Sequence, residues 1–483
     1  MSGTLDRRRA GVLLHPTSLP GAGATGTLGN AALRFVDWLV DGGYSVWQTL
    51  PLGPPDMHGS PYTLRSAFAG DLRLVDAERL VELDDLPGDL PCDALRERPR
   101  DVYRAFRERA STAQRSLLAA FVRRERRWLL PYVLFEILRA RHGGAPWWEW
   151  PAEYRRGRSG ALRALFAEER EQFRAVVFQQ YLFELSWSSL KRYANARGVH
   201  LFGDLPFYVD LDSVEVWWEP ELFRLDEGGR PTAVAGVPPD YFNADGQLWG
   251  NPLYDWPAHE RSGFDWWMRR LEHELKRFDL LRIDHFRALS SYWEVPASAD
   301  TARVGCWQPA PGAQLLETLG RRLGRVPLVA EDLGLITEEV RALRDRFELA
   351  GMVVLQFAFD GLPNNPHGPE AHAENQVVYT GTHDNDTLSG WYTTLDADSR
   401  ARVLHYFGGE PRLPDALLDA AYGSRARLAI VPLQDLLGLG SEARMNRPGH
   451  TAGNWRWRFE WHDIRAEIAI EARRRAERFE RLA

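Results

Sequence analysis

The chain has 483 residues, 44% of them hydrophobic and 26% charged; that is ordinary for a globular protein and too long for one simple core, so two domains or one large barrel with insertions is expected. The 60 basic and 67 acidic residues leave a net charge of −7, which excludes the broad basic footprint of a nucleic-acid binder. The basic run RRERR (123–127) reads as a solvated helix face.

In chain order, the basic start MSGTLDRRRA leads into an apolar strand, GVLLHP (11–16), which His15 and Pro16 cut too short for a secretion leader. No window reaches the length of a membrane span. Gly21, Gly23 and Gly26 then spell G-x-G-x-x-G. Residues 15–20 separate them from the strand, so they miss the tight strand-to-helix turn that binds a pyrophosphate and read as an ordinary Gly-rich loop. VWQTLP (46–51) is the second strand. Residues 52–198 are far more than one crossover helix needs and read as a mainly helical insertion, in which Phe178, Tyr181, Leu182 and Leu185 mark one helix face that ends near Gly198. VHLFGDLPFYV (199–209) is the third strand.

Residues 210–279 form a second insertion; its stretch 238–256, PPDYFNADGQLWGNPLYDW, is too rich in Pro, Gly and Asn to be regular. LLRIDHF (280–286), PLVAEDLG (327–334), MVVLQFAF (352–359), VVYTGTHDND (377–386) and LAIVPLQ (428–434) complete eight strands. YWEVP (292–296) follows the fourth too closely for a crossover and reads as a loop excursion. TEEVRALRDRFELAG (337–351) is a helix with a Thr cap and a closing Gly. The C-terminal WHDIRAEIAIEARRRAERFERLA reads as a basic helix of packing and solvated surface. The fold class expected is α/β, a (β/α)8 TIM barrel spanning 1–483 with large insertions between strands and its site at the carboxyl ends.

The two cysteines, Cys92 and Cys306, lie far apart without metal-ligand spacing. A reduced, cytoplasmic setting is expected, with neither metal nor cofactor. Four strands end in acid: Asp204, Asp284, Glu331 and Asp384. One acid at a strand end commonly caps a helix, but four converging on one mouth need compensation from cations, protons or a ligand. Paired carboxyls in contrasting environments are the working parts of glycoside cleavage. Arg282, two residues before Asp284, shares its face and is expected to keep it ionised. The apolar run 327–330 should raise the Glu331 pKa. Asp332 should point the other way and cap or pair. Asp384 then stabilises the transition state, and His383 adds a hydroxyl contact.

FGDLPFYV, RIDHFRAL, VAEDLG and YTGTHDND together resemble the conserved regions of the 4-α-glucanotransferases (amylomaltases, disproportionating enzymes) of the α-amylase-like group. The resemblance runs from GVLLHPTSLPG and GSPY through GVPPDYFNADGQLWGNPLYDW to RMNRPG and NWRWR, covering nearly the whole chain. It implies a nucleophile at Asp284, an acid/base at Glu331 and a transition-state stabiliser at Asp384. It also implies that Asp204 and Arg282 line the site, and that Tyr241, Phe242, Gln247 and Trp249 belong to an overhanging loop. Ser60 and Tyr62 fall on the acceptor side, and Asn454 and Trp455 carry a structural or a binding role. His450 departs from the family pattern. The expected partners are α-1,4-glucans and maltooligosaccharides, with no nucleic acid and no membrane, for a monomer or weak homodimer. The expected reaction is transfer of a glucan segment to a 4-hydroxyl by retaining double displacement. The alternatives are an α-1,4-glucan hydrolase and a non-catalytic glucan-binding protein.

Overall fold

The structure is a computed structural model that describes residues 3–482 apart from 89, 92, 93, 158, 240–243 and 451. Twelve strands occur among the described residues: β1 (Arg9–Leu13), β2 (Val46–Gln48), β3 (His200–Leu205), β4 (Ala233–Val237), β5 (Gln247–Pro252), β6 (Leu280–Ile283), β7 (Ser291–Pro296), β8 (Cys306–Pro309), β9 (Leu328–Ala330), β10 (Gly351–Val354), β11 (Gln376–Tyr379) and β12 (Leu428–Pro432). Eight of them form one parallel sheet in the order β10-β11-β12-β1-β2-β3-β6-β9. A bridge between Val329 and Ala350 joins its two ends. All eight barrel strands lie within the runs expected from sequence or start within two residues of them.

Strand alternation sorts the side chains. Phe202, Leu280, Val329, Met352, Val354, Val377, Leu428 and Ile430 fill the barrel interior as one apolar cluster. Gly11 sits on β1 in the same layer, where a Cβ would come within 2.6 Å of Ile430 Cδ1 and 2.7 Å of Val46 Cβ. Two residues further along, the same inward parity delivers Asp204 after Phe202, Arg282 and then Asp284 after Leu280, and Glu331 after Val329. The apolar floor and the polar mouth are thus one alternation read at two heights.

The closing seam is short. Ala330 N–H donates to Ala350 O at 2.8 Å, and Asp332 Oδ1 accepts Met352 N–H at 2.7 Å. Arg344 pairs with the other Asp332 oxygen. The carboxylate replaces a missing ladder carbonyl, so Asp332 turns away from the mouth and pairs.

Three expectations need correction. YWEVP is not a loop excursion: β7 is a true strand, but of a separate antiparallel sheet, β5-β4-β7-β8, outside the barrel. Within 238–256, Gln247–Pro252 is the edge strand of that sheet; its side chains are largely exposed, so it lacks a buried face to announce it. The helix expected over 337–351 stops at Arg346, and Gly351 begins β10 instead of capping.

Between β2 and β3 the chain forms helices Ala77–Glu82, Pro99–Arg109, Thr112–Arg141, Ala161–Glu168 and Arg170–Ala196. Phe178, Tyr181 and Leu182 are buried, and Gly198 follows the last helix at φ +77°. Among the described residues no helix is long and apolar enough to cross a membrane. The Gly-rich loop presents oxygen, not N–H: the Arg458 guanidinium takes the carbonyls of Leu19, Gly21 and Gly23.

The C-terminal helix packs through the buried Ala469, Ala472 and Ala476, in keeping with the expected mix of packing and surface. Arg481, just beyond it, is fully buried and donates to the carbonyls of Arg9, Tyr422, Ser424, Ala426 and Arg427. Burial pushes its pKa down to about 9. Replacing it strands several carbonyls beside β1 and β12, so Arg481→Met should lower stability by roughly 2–4 kcal/mol in a denaturant titration.

Candidate active site

Asp204 on β3 and Arg282 on β6 are register partners. The guanidinium contacts both Asp204 oxygens, at 2.7 and 2.8 Å, and reaches Asp284 Oδ1 with its other nitrogen at 2.8 Å. Tyr62 O–H donates to Asp204 Oδ2 at 2.6 Å. Asp204 and Arg282 are buried, whereas the Asp284 side chain is 30% exposed.

Ile283 and Ala330 are register partners on β6 and β9, so Asp284 and Glu331 leave adjacent strands at one level, about 4.8 Å apart in strand spacing. Backbone amides fix Glu331: His285 N–H donates to Oε2 at 2.8 Å and Leu333 N–H to Oε1 at 3.0 Å. His285 presents its amide this way because it adopts the left-handed conformation, φ 51° and ψ 45°. Burial pushes its imidazole down to about 3, and the uncharged ring packs edge-on against Trp249 at 4.7 Å between centroids.

Asp384 arrives from the loop after β11. Asn446 Nδ2 donates to its Oδ1 at 2.6 Å, Arg444 donates to its backbone carbonyl, and His383 Nε2 lies 3.4 Å from Oδ1. Tyr62 stacks on the His383 ring at 5.1 Å, and Trp455 tilts against both at 6.0 Å.

The electrostatics divide the two facing carboxyls. Burial raises the Glu331 pKa; Asp284 adds to the rise, and Arg282 and the two amides offset only part of it. The Asp284 pKa also lies above the usual range, chiefly through burial and the carboxylates of Asp204 and Asp384, with Arg282 opposing. The expectation that Arg282 would hold Asp284 low is therefore corrected: the ion pair forms, but burial outweighs it, with the carboxylates of Asp204 and Asp384 adding to the rise. Arg282 touches Asp284 and not Glu331, so Glu331 retains its proton more readily. Burial by itself would lower the Arg282 pKa; its two aspartates reverse the sign and raise it.

The structure brings together Tyr62, Asp204, Arg282, Asp284, Glu331, His383 and Asp384. Trp249 joins them through His285, and Gln247 stands beside it, accepting from its indole N–H at 3.1 Å. Ser60 stands back, its hydroxyl accepting from Tyr62 N–H at 3.3 Å. Tyr241 and Phe242 lie outside the described residues. Trp256 is buried among Tyr254, His259 and Trp267, away from the mouth. His450 is exposed, and its carbonyl accepts from Asn454 at 2.8 Å; Asn454 also spans Arg447, closing the loop from 447 to 454. Sequence reasoning missed Asn446 and Arg444, whose only signal was the RMN of RMNRPG. No group of three or more metal-ligating side chains occurs among the described residues.

The profile of the 4-alpha-glucanotransferase family matches residues 14–463. The chain belongs to that family. A 4-alpha-glucanotransferase of Thermus thermophilus is 48% identical over 98% of this chain and 99% of its own, and one of Synechocystis sp. is 44% identical over 94% of each. Among solved structures, the amylomaltase from Streptococcus agalactiae in complex with acarbose superposes with a TM-score of 0.92 at 35% identity, covering 99% of this chain and all of that one. The 4-alpha-glucanotransferase fold is thus the TIM barrel expected from the sequence.

The left-handed turn at His285 should tolerate glycine better than a branched side chain. His285→Val should lose about 1–2 kcal/mol more stability than His285→Gly, compared by denaturant midpoints.

Proposed function

We propose that the protein transfers segments of α-1,4-glucan from a donor chain to the 4-hydroxyl of an acceptor glucose or maltooligosaccharide, with retention. The observation that carries this reading is the pair Asp284 and Glu331, side by side on adjacent strands, with the Arg282 guanidinium in contact with Asp284. Protonated Glu331 donates its proton to the glycosidic oxygen while Asp284 attacks the anomeric carbon; the old C–O bond breaks and a glycosyl ester forms. Glu331, now ionised, takes the proton of the incoming 4-hydroxyl, whose oxygen displaces Asp284. Two inversions give net retention.

Around them, Asp384 is read as binding sugar hydroxyls and favouring the oxocarbenium-like transition state. Asp204 and Arg282 hold the nucleophile. Tyr62 and His383 are read as a flat floor for the donor unit; the hydrogen bond from Tyr62 to Asp204 supports the donor side over the acceptor side expected from the resemblance. Trp249, Gln247 and, by resemblance, Tyr241 and Phe242 form the rim that excludes water. A dry rim favours a sugar hydroxyl over water by orientation and effective molarity. Ser60 is read as shaping the turn that presents Tyr62. The whole chain is read as one catalytic unit with insertions at 52–198 and 210–279, acting without a cofactor as a monomer or weak homodimer. The cysteine-poor composition supports a cytoplasmic setting.

Maltotriose should give glucose and a ladder of longer maltooligosaccharides by chromatography, at nearly constant total reducing ends; a steady rise in reducing ends without longer products would mean hydrolysis. Asp284→Asn should lower turnover at least ~10³-fold with an unchanged circular dichroism spectrum.

The pH profile of kcat/KM should be a bell. Activity requires ionised Asp284, so it rises through that pKa, and protonated Glu331, so it falls through the higher one. Arg282→Gln removes the cation that favours ionised Asp284. Its acid limb should move to higher pH by about one unit or more, besides the loss in rate.

A further inference from the structure

We propose that the indole of Trp307 is a stacking platform for the acceptor glucan, a few sugar units beyond the bond that reacts. The proposal rests on the catalytic reading above, which places the acceptor on the Glu331 flank of Asp284.

The small antiparallel sheet starts where the barrel mouth ends. After Asp284 the chain makes one turn, Phe286–Leu289, and enters β7 at Ser291. Arg287 in that turn is buried, donates to Leu335 O and Ser291 Oγ, and lays its guanidinium 3.7 Å from the centroid of the Trp307 ring. Arg287 is three residues past Asp284, at most about 11 Å of chain. Leu335 belongs to the segment that begins with Glu331 and supplies the Leu333 amide to it. Trp307 is therefore tied to the acid/base side of the cleft, away from the Tyr62–His383 floor.

The ring is held in place but not enclosed. Trp307 on β8 is the register partner of Trp293 on β7, and the two indoles meet edge-to-face at 5.2 Å. Gly305 allows this close approach, since a Cβ there would fall 2.5 Å from the Trp293 ring. With Arg287 over its ring and Trp293 against it, Trp307 is still 39% exposed; Leu335, whose carbonyl holds the same Arg287, and Val304, three residues earlier in the chain, are 52% and 64% exposed. A side chain whose only task was to cover Arg287 would need one face. A fixed, half-open indole tied to the Glu331 side of the barrel mouth offers what the apolar face of a pyranose stacks on.

The acceptor enters with its non-reducing 4-hydroxyl at Glu331 and trails the rest of its chain outward. Only a long acceptor reaches Trp307. Reducing-end-labelled maltose and maltohexaose should be compared as acceptors from amylose with wild type, Trp307→Leu, which still covers Arg287, and Trp307→Phe, which keeps a flat ring. In the Leu variant the KM for labelled maltohexaose should rise five- to ten-fold, with that for labelled maltose and both kcat values within two-fold; the Phe variant should recover most of the loss. Leu335→Lys leaves the packed ring untouched and should raise only the maltohexaose KM, two- to five-fold, so the flank is read even if the Leu variant folds poorly. An unchanged maltohexaose KM in the folded variants, or equal damage to both acceptors, overturns the platform. If wild type performs no transfer, the functional reading fails by itself. Calorimetry of maltohexaose with wild type and Trp307→Leu then decides the platform, equal Kd values rejecting it.

Discussion

Four carboxyls around one opening would repel one another, and a single guanidinium makes the arrangement tenable. Arg282 is buried between Asp204 and Asp284, and each of its terminal nitrogens is committed to a carboxylate. Removing either aspartate would leave a buried cation with half its partners, a state far costlier than the intact cluster. The barrel supplies the position cheaply. Arg282 is the inward residue of β6 one step above the apolar layer, so the same alternation that packs Leu280 aims the cation.

The cluster is lopsided, and the chemistry follows from that. Asp284 has the cation and is partly exposed. Glu331, one strand away, has two amide donors and an apolar run behind it. Both acids feel burial, yet only one of them is in contact with a compensating charge. Two similar groups thereby acquire different affinities for a proton, as the division between a nucleophile and a proton donor requires.

Much of this was readable from residue order. Acids at the ends of apolar runs, and the two-residue spacing of Arg282 and Asp284, follow from strand periodicity, which the barrel obeys. The second sheet was not readable, because β5 is exposed and carries Gly, Asn and Pro, and β4, with which it pairs, finds its other partner β7 about 60 residues further along the chain. Asn446 was missed for a related reason: its bond to Asp384 crosses 62 residues, and an Asn in a loop has many ordinary uses. The sign of the Asp284 shift escaped because it is set first by burial in the cleft and then by the remote carboxylates of Asp204 and Asp384, whereas sequence shows only the nearest charge.

The seam of the barrel adds a constraint on Glu331, the proposed proton donor. Glu331 and Asp332 are consecutive, one set at the mouth beside Asp284 and the other stitching β9 to β10 through Met352 while pairing with Arg344. Breathing of the cylinder at this join would carry the acid away from its partner on β6. Mechanical integrity and chemical alignment are thereby vested in one dipeptide, and a looser closure could not be accommodated without blurring the distance over which the proton must travel.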